Sequence, residues 1–249
     1  MTTFAAEAGN FLEVEGTCPV CDKQVVFTSK TKDLRNEFAC PICRSIPRER
    51  ALFTVLRTLY PNWRNLRIHE SSPIPRGPSE KLKRECRGYT YSQYDPSIPW
   101  GSTHANGHRS ENLEEMTFEN DSFDIFVTQD VFEHIFRPDL AAKEIARVLA
   151  SSGAHIFTTP LVNQNRRSER RASLHDGRVI HHLPPVYHGN PMSKDGSLAT
   201  IDWGYDILAY LSHHSGLSSH LYYFDDVSRG LHAPLIEVIV SSKVNVPSL

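Results

Sequence analysis

The chain has 249 residues, 39% of them apolar and 22% charged, so it can bury a real core and does not have the composition of a disordered protein. Twenty-seven Lys and Arg against 29 Asp and Glu leave a formal net charge of −2, which excludes a global positive field for holding a polyanion and leaves only local patches for nucleic acid. At about 150 residues per domain this is one large domain, or one domain and a small module; no apolar run approaches the ~20 residues of a membrane span, and residues 1–10 lack the basic and apolar regions of a signal peptide, so the chain reads as soluble and cytoplasmic.

Four of the five cysteines form two knuckles, Cys18-Pro19-Val20-Cys21 and Cys40-Pro41-Ile42-Cys43, in the spacing C-x2-C-x18-C-x2-C. A two-residue gap lets one tight turn aim two sulfurs at a common point, and two such turns complete a tetrahedral shell of thiolates at about 2.3 Å from zinc. Residues 24–27 and 36–39 are expected to be the short strands of a zinc ribbon, with Val25, Phe27 and Phe38 as its minimal core. So small a module needs the metal for much of its folding energy. A redox C-x-x-C does not require a matched second pair, and disulfides suit a secreted chain. The zinc is expected to be structural, since Cys18, Cys21, Cys40 and Cys43 leave no open position for substrate. Cys86 reads as a free thiol. The expected organisation is a zinc-ribbon module over 1–46, a connecting helix over 47–62, and a main domain over 63–249; replacing Cys40 by Ser is expected to loosen the module and leave the main domain largely folded.

Leu52, Val55, Leu56 and Leu59 recur at helical spacing and predict a helix over 47–60. Strand-like runs at 66–70, 89–92, 123–128 and 154–159 then alternate with helical stretches, the pattern of a mostly parallel α/β sheet. One such helix opens with Pro138 and Asp139, places Ala141, Ile145, Val148 and Leu149 on one face, and closes before Gly153. Residues 163–202 are rich in Arg, His, Pro and Gly, too long and polar for an ordinary connection, and are expected to form a lid. A last helix is expected over 205–213, followed by runs at 221–224 and 235–240 that would pair as an antiparallel hairpin at a sheet edge.

The segment from Phe118 to His134, Phe-Glu-Asn-Asp-Ser-Phe-Asp-Ile-Phe-Val-Thr-Gln-Asp-Val-Phe-Glu-His, is a turn, a buried strand and a polar exit at the strand's carboxyl end, where open α/β sheets place ligands. With Glu144-Ile145-Ala146-Arg147-Val148-Leu149 and Gly153 it resembles the class I S-adenosylmethionine-dependent methyltransferases of the type 11 group, over residues 66–240. Tyr187-His188-Gly189-Asn190-Pro191, Gly196-Ser197-Leu198 and Asp202-Trp203-Gly204 also look like a subgroup with an N-terminal cysteine module. The resemblance implies a doubly wound, Rossmann-like, seven-stranded, mostly parallel sheet, S-adenosylmethionine as cofactor and methyl transfer as the activity. It implies cofactor contacts at Glu70, Ser71 and Ser72 after the first strand, at Gln93 or Asp95 after the second, at Asn112 and Leu113 beside the adenine, and at Gln129 on the fourth strand's exit. The chain departs from the family at Ile68-His69-Glu70-Ser71-Ser72-Pro73, which has no glycine until Gly77 where family members carry a glycine-rich turn. The absence of a G-x-G-x-x-G there also argues against a dinucleotide, whose pyrophosphate would want it. S-adenosylmethionine carries no phosphate, so a compact loop with serine donors suffices.

Methyl transfer is an in-line displacement in which the acceptor atom must lie about 3 Å from the methyl carbon, so positioning supplies much of the catalysis. The candidate catalytic residues are His134, His188 and Asp130, with His181 and His182 as further histidines of the lid; His134 alternatively braces the pocket as part of a Glu-His pair. Tyr187, His188, Asn190 and His182 are the candidate acceptor-binding residues. Arg166, Arg167, Arg170, Arg171 and Arg178 make the lid locally basic, which suits a solvated charge run or recognition of an anion by guanidinium forks. A small anionic metabolite is the expected acceptor. An RNA or protein held by ribbon and lid, or a degenerate scaffold without activity, are the alternatives.

Overall fold

The computed structural model describes residues 10–105, 107–190 and 193–243. Residues 1–9, on which the expectation of no targeting signal mostly rests, lie outside these.

The chain begins with an antiparallel hairpin, β1 (Leu12–Thr17) and β2 (Gln24–Ser29), paired from Leu12 opposite Ser29 to Thr17 opposite Gln24. Val25 and Phe27 of β2 point inward while Gln24 and Val26 point out, the period-2 alternation of a half-buried strand. The second ribbon strand expected at 36–39 is not formed. A single helical turn, α1 (Leu34–Glu37), replaces it, and only Ala39 bridges back to Thr28. Asp33 starts that turn, accepting from the Glu37 amide and from the Asn36 side chain, a local alternative to strand pairing. The partner of β2 is β1, upstream of the first knuckle. Gly16 in β1 is required by packing, because a Cβ there would sit 1.8 Å from the Ser228 carbonyl oxygen.

α2 (Pro47–Leu59) has Pro at its first position, and the Glu49 carboxylate accepts from the Ile46 amide, satisfying an N-terminal donor. Residues 47–56 are all buried, so α2 is a core helix as well as a connection. Its Arg50 is fully buried over the Phe27 ring and donates to the carbonyls of Phe38, Ser45 and Gly230; burial pulls the guanidinium down to about 10. One continuous apolar cluster runs from Phe27 and Phe38 through Leu52 and Val55 to Ile68, Ile125, Ile156 and Val240. Cysteine module, α2 and one face of the main sheet therefore share a core.

That sheet is built from β3 (Arg67–Ser71), α3 (Gly77–Glu85), β4 (Gly88–Gln93), β5 (Arg109–Ser110), β6 (Phe123–Gln129), a 3-10 turn (Phe132–His134), α4 (Pro138–Val148) and β7 (Leu149–Thr158). The lid follows as β8 (Glu169–Arg170), β9 (Ala172–His175), β10 (Arg178–His181), β11 (Tyr187–Asn190), β12 (Ser193–Leu198) and β13 (Ile201–Asp202). The chain returns through α5 (Ile207–Ser215), β14 (Ser218–Tyr222) and β15 (Val238–Ser242). The seven strands lie in the order β14-β15-β7-β6-β3-β4-β5. Only β15 runs against its neighbours; the rest pair in parallel. This is the expected doubly wound, mostly parallel seven-stranded sheet. The edge hairpin also forms, three residues earlier on its first strand and three later on its second than the apolar runs indicate, with Ser219 and Ser241 hydroxyls 2.8 Å apart across it. The second face is covered by α4 and α5 around Phe126, Phe157, Leu149, Leu211 and Trp203.

The lid is more regular than expected. β9 pairs with β10, β11 with β12 and β8 with β13, all antiparallel. Tyr187 to Asn190 is a strand with a bulge between His188 and Asn190, and not the glycine-containing turn its residues suggest; Pro191 lies outside the described residues. The lid is stitched to the 3-10 turn by Thr200, whose amide donates to the Glu133 carbonyl and whose hydroxyl donates to the Ile135 carbonyl. Among the described residues no helix is long and apolar enough to cross a membrane.

Candidate functional site

The strand order reverses between β3 and β6: the chain winds outward through β4 and β5 on one side and through β7 on the other. At such a switch point the two crossovers diverge and leave a crevice beyond the strands' carboxyl ends. The residues leaving β3, β4, β5 and β6 lie at that end of the sheet.

On the β3 side Glu70 is fully buried. It accepts from Ser79 Oγ at 2.7 Å, Gln129 Nε2 at 2.8 Å and the Tyr89 hydroxyl at 2.8 Å, while burial pushes its carboxyl above the usual range. Ser71 is buried behind it. Ser72 takes φ +57 and donates its amide to the Ser92 carbonyl at 2.8 Å, so a serine performs a sharp turn whose left-handed backbone favours glycine. Gly77, with φ +52, then opens α3, and its amide bonds to the Cys43 carbonyl, tying the loop to the second knuckle. Between this loop, α3 and β4 lies a cleft of about 260 Å³, lined by Pro73, Ile74, Ser79, Tyr91, Gln93 and His108 among others.

The geometry separates the two candidates after β4. Gln93 lines the cleft, with its amide 3.4 Å from the Pro73 carbonyl. Asp95 instead binds its own surroundings: the Ser97 hydroxyl and amide, then His108 Nε2 at 3.0 Å, hold its carboxyl below the usual range. Asn112 spends its side-chain oxygen on the Glu114 amide in a turn after β5, and Leu113 is buried in the apolar cluster of the second face. Gln129 donates to Glu70 and leaves its own Oε1 buried without a hydrogen-bond partner.

At the exit of β6, Asp130 is engaged on both oxygens. Arg35 Nη2 lies at 2.8 and 3.0 Å, Arg48 Nε at 2.7 Å and the Thr158 hydroxyl at 3.0 Å. Burial alone would push this carboxyl up, but Arg48 and Arg35 hold it below its ordinary value. A carboxylate so held is a poor base and a good anchor. Neither arginine is a sequence candidate, because Arg35 looks like an ordinary surface charge of the cysteine module and Arg48 like one of the connecting helix.

His134 and His188 come together, with ring centroids 5.0 Å apart, and both face Glu133. His134 Nδ1 is 2.9 Å from the Leu198 carbonyl, to which it donates, and its Nε2 is turned towards Glu133. Glu133 is missing from the sequence candidates although its signal, the Glu-His pair, is plain. The other lid candidates lie apart: His182 bonds the Ser173 hydroxyl at 2.9 Å, His181 is exposed on β10, and Tyr187 is exposed on β11, which Asn190 ends. Of the lid arginines, Arg170 donates to the Phe136 carbonyl and Arg171 pairs with Asp202 and donates to the Pro184 carbonyl, leaving Arg166, Arg167 and Arg178 at the exposed surface.

Cys18, Cys21, Cys40 and Cys43 converge, all four sulfurs lying within 4.8 Å of one another. Cys18 and Cys43 are 3.6 Å apart and Cys21 and Cys40 3.8 Å. Four thiolates at 2.3 Å around a tetrahedral ion are about 3.8 Å apart, so the set fits such an ion. Ser45 Oγ lies 3.1 Å from Cys43 and 3.6 Å from Cys18, a hydroxyl donor to the sulfurs. Cys86 is apart, buried against the carbonyls of Trp63 and Leu66.

No curated protein sequence matches the chain. Among solved structures it is similar to an S-adenosylmethionine-dependent methyltransferase from Mesorhizobium loti, at 14% identity over 77% of this chain and 97% of that one, with a TM-score of 0.49. It is also similar to the 1,6-didemethyltoxoflavin-N1-methyltransferase of Burkholderia thailandensis, solved with 1,6-didemethyltoxoflavin and S-adenosylhomocysteine, at 14% identity over 79% and 80% of the two chains and a TM-score of 0.44. A methyltransferase from Methanosarcina mazei gives 12% identity over 74% and 96%, with a TM-score of 0.42. Residues 79–157 match the profile of methyltransferase family 11, described as a methyltransferase domain. The match begins just after the glycine-poor turn and runs from α3 through β7, and so it supports a methyltransferase domain built on the parallel half of this sheet.

Proposed function

We propose that the protein is an S-adenosylmethionine-dependent methyltransferase acting on a small anionic metabolite in a reducing, cytoplasmic setting. The observation that carries this reading is that the family match covers the strands β4, β5, β6 and most of β7, whose carboxyl ends line the crevice at the switch point. The cofactor supplies a methyl group activated by its sulfonium. The chain's residues fit its other end: Gln129 Oε1 is a buried acceptor without a partner, suited to an ammonium, and Gln93 and the 73–75 loop line the adjoining cleft. Ser71, Ser72 and buried Glu70 shape the turn beneath it, and Asn112 and Leu113 lie at the carboxyl end of β5, where the resemblance puts the base.

On the acceptor side Asp130 is a positioning group, fixing the β6 exit against the cysteine module through Arg35 and Arg48. His134 and His188 stand beside it under the lid, with Tyr187 and Asn190 on the same strand as His188. The exposed lid arginines supply the attraction for an anion. The cysteine set holds one structural zinc; buried Arg50 lies close enough to offset the negative charge of four thiolates, which also require a reducing environment.

Calorimetric titration tests the reading. S-adenosylmethionine and S-adenosylhomocysteine are expected to bind in the micromolar range, and Gln129→Leu to weaken both at least about tenfold, the loss of one hydrogen bond to a charged group. Absence of binding at millimolar cofactor would refute it.

A further inference from the structure

Outside the cysteine knuckles, one other group of metal-ligating side chains converges among the described residues: Glu133, His134 and His188, each offering one donor atom within 4.8 Å of the other two. Glu133 and His134 sit on the 3-10 turn after β6, and His188 reaches them from β11 of the lid. Glu133 Oε1 is 3.7 Å from His134 Nε2 and 3.7 Å from His188 Nδ1. Two ligands at 2.0–2.2 Å on a tetrahedral ion are about 3.4 Å apart, so each histidine needs to approach the carboxylate by only a few tenths of an ångström, and the two ring nitrogens already lie within 4.8 Å of each other.

Two further observations point to an ion. Glu133 is only 2% exposed; its Oε2 accepts from the Thr159 hydroxyl at 2.9 Å, while its Oε1 is buried with no hydrogen-bond partner. A carboxylate oxygen in that position is costly unless a cation or donor faces it. His134 faces it with Nε2 at 3.7 Å, its Nδ1–H being committed to the Leu198 carbonyl. A histidine whose far nitrogen is fixed by a carbonyl and whose near nitrogen meets a carboxylate oxygen is arranged as a metal ligand with its supporting hydrogen bond in place. Thr159 and Thr200 orient the carboxylate and the turn in the same way.

We propose that Glu133, His134 and His188 bind one divalent cation of the zinc type. Two nitrogens and one oxygen suit zinc, cobalt or nickel over magnesium or calcium, and three protein ligands leave a position open for water or an oxygen of a small molecule. His188, with its side chain 40% exposed, marks the open side. The binding claim stands apart from methyl transfer; a role for the open position in holding the acceptor rests on the methyltransferase reading.

The test is a metal count on the full-length protein, stripped and refilled with Zn²⁺ or Co²⁺. Two equivalents per chain are expected. With Co²⁺ one equivalent shows thiolate-to-metal charge transfer and the other only the ligand-field bands of a nitrogen and oxygen site. Glu133→Gln and, on the exposed lid strand, His188→Ala are each expected to lose the second equivalent and keep the first. A wild-type protein that takes up only the thiolate-bound metal, leaving the cluster an imidazolium–carboxylate pair, overturns the proposal. So does a second equivalent that survives in both variants. Cofactor titration of the same samples reports on the methyltransferase reading separately, since neither metal outcome depends on it.

Discussion

The cysteine module and the lid are both additions to the same sheet, yet they are attached by different physics. The module adds apolar area to the common core: Phe27, Phe38 and α2 are continuous with Ile68, Ile125 and Ile156. The lid adds mainly a polar seam, in which Thr200 and Arg170 bond to the carbonyls of Ile135 and Phe136 and Ile201 joins the core of the second face, and it leaves Leu174, Val179, Ile180 and Tyr187 between 42% and 56% exposed. An appendage that shares the core cannot be loosened without cost to the whole, whereas one held by hydrogen bonds at its base can vary its outer strands almost freely. The module therefore belongs to stability, with Arg35 and Arg48 reaching from its side of the core to Asp130, and the lid's outer strands are the part free to vary.

The largest effect that would break this contrast is in the module. Cys40→Ser is expected to cost on the order of 5 kcal/mol through loss of the metal, and to unfold module and sheet in a single transition, because they share a core. This replaces the expectation from sequence that the main domain stays folded on its own. Urea denaturation followed by tryptophan fluorescence and circular dichroism checks it: two separated transitions, with the sheet surviving the first, would restore independent domains.

A second effect, smaller for each pH unit, belongs to the sheet between the two regions. His69 on β3 and His155 on β7 are buried, and burial pulls both down to about 3. Both are neutral in the fold, while an unfolded chain protonates them near 6.5. Their contribution is complete above about 6.5 and is lost as pH falls towards 3, at about 1.4 kcal/mol per histidine for each pH unit once the unfolded form is fully protonated. Equilibrium denaturation between pH 7 and 4 should show this slope, and His155→Gln should flatten it. An unchanged slope in that variant would place the acid sensitivity elsewhere.

The smallest expected effect is in the lid. Val179→Ser on β10 should change stability by less than about 0.5 kcal/mol, since the residue is 42% exposed and belongs to no core cluster among the described residues. A loss near 2 kcal/mol in thermal or urea unfolding would mean that the hairpin is packed against something, and would erase the distinction.

How legible these features were in the sequence follows from how local their signals are. β6 reads directly because Phe123 and 125–129 are all buried, giving a continuous apolar run in a two-sided parallel sheet. β5 is two residues long and contains Arg109 and Ser110, so no periodicity exists to detect. β1 is hidden by Glu13 and Glu15 on its outward face. Arg48, Glu49 and Arg50 look like a solvated helix face but are buried, each held by a partner distant in sequence: Arg48 paired with Asp130, Glu49 with Arg76, and Arg50 donating to the Gly230 carbonyl. The convergence of the four cysteines is readable because the paired C-x-x-C spacing is local, whereas the choice between Gln93 and Asp95 stays open in the sequence. The Arg35 and Arg48 clamp on Asp130 joins segments more than eighty residues apart and could not be read. Glu133 and His134 were adjacent and visible, but their meeting with His188 depends on the lid strand folding back, which is a tertiary event.

The central claim is that the crevice between β3 and β6 receives S-adenosylmethionine. The most direct measurement is a crystal structure with S-adenosylhomocysteine. The account predicts the ligand against the 73–75 loop and Gln93, with its ammonium on Gln129 Oε1 and its sulfur facing the Asp130 exit. A ligand bound on another edge of the sheet, or a crevice that stays empty at millimolar ligand, would contradict it.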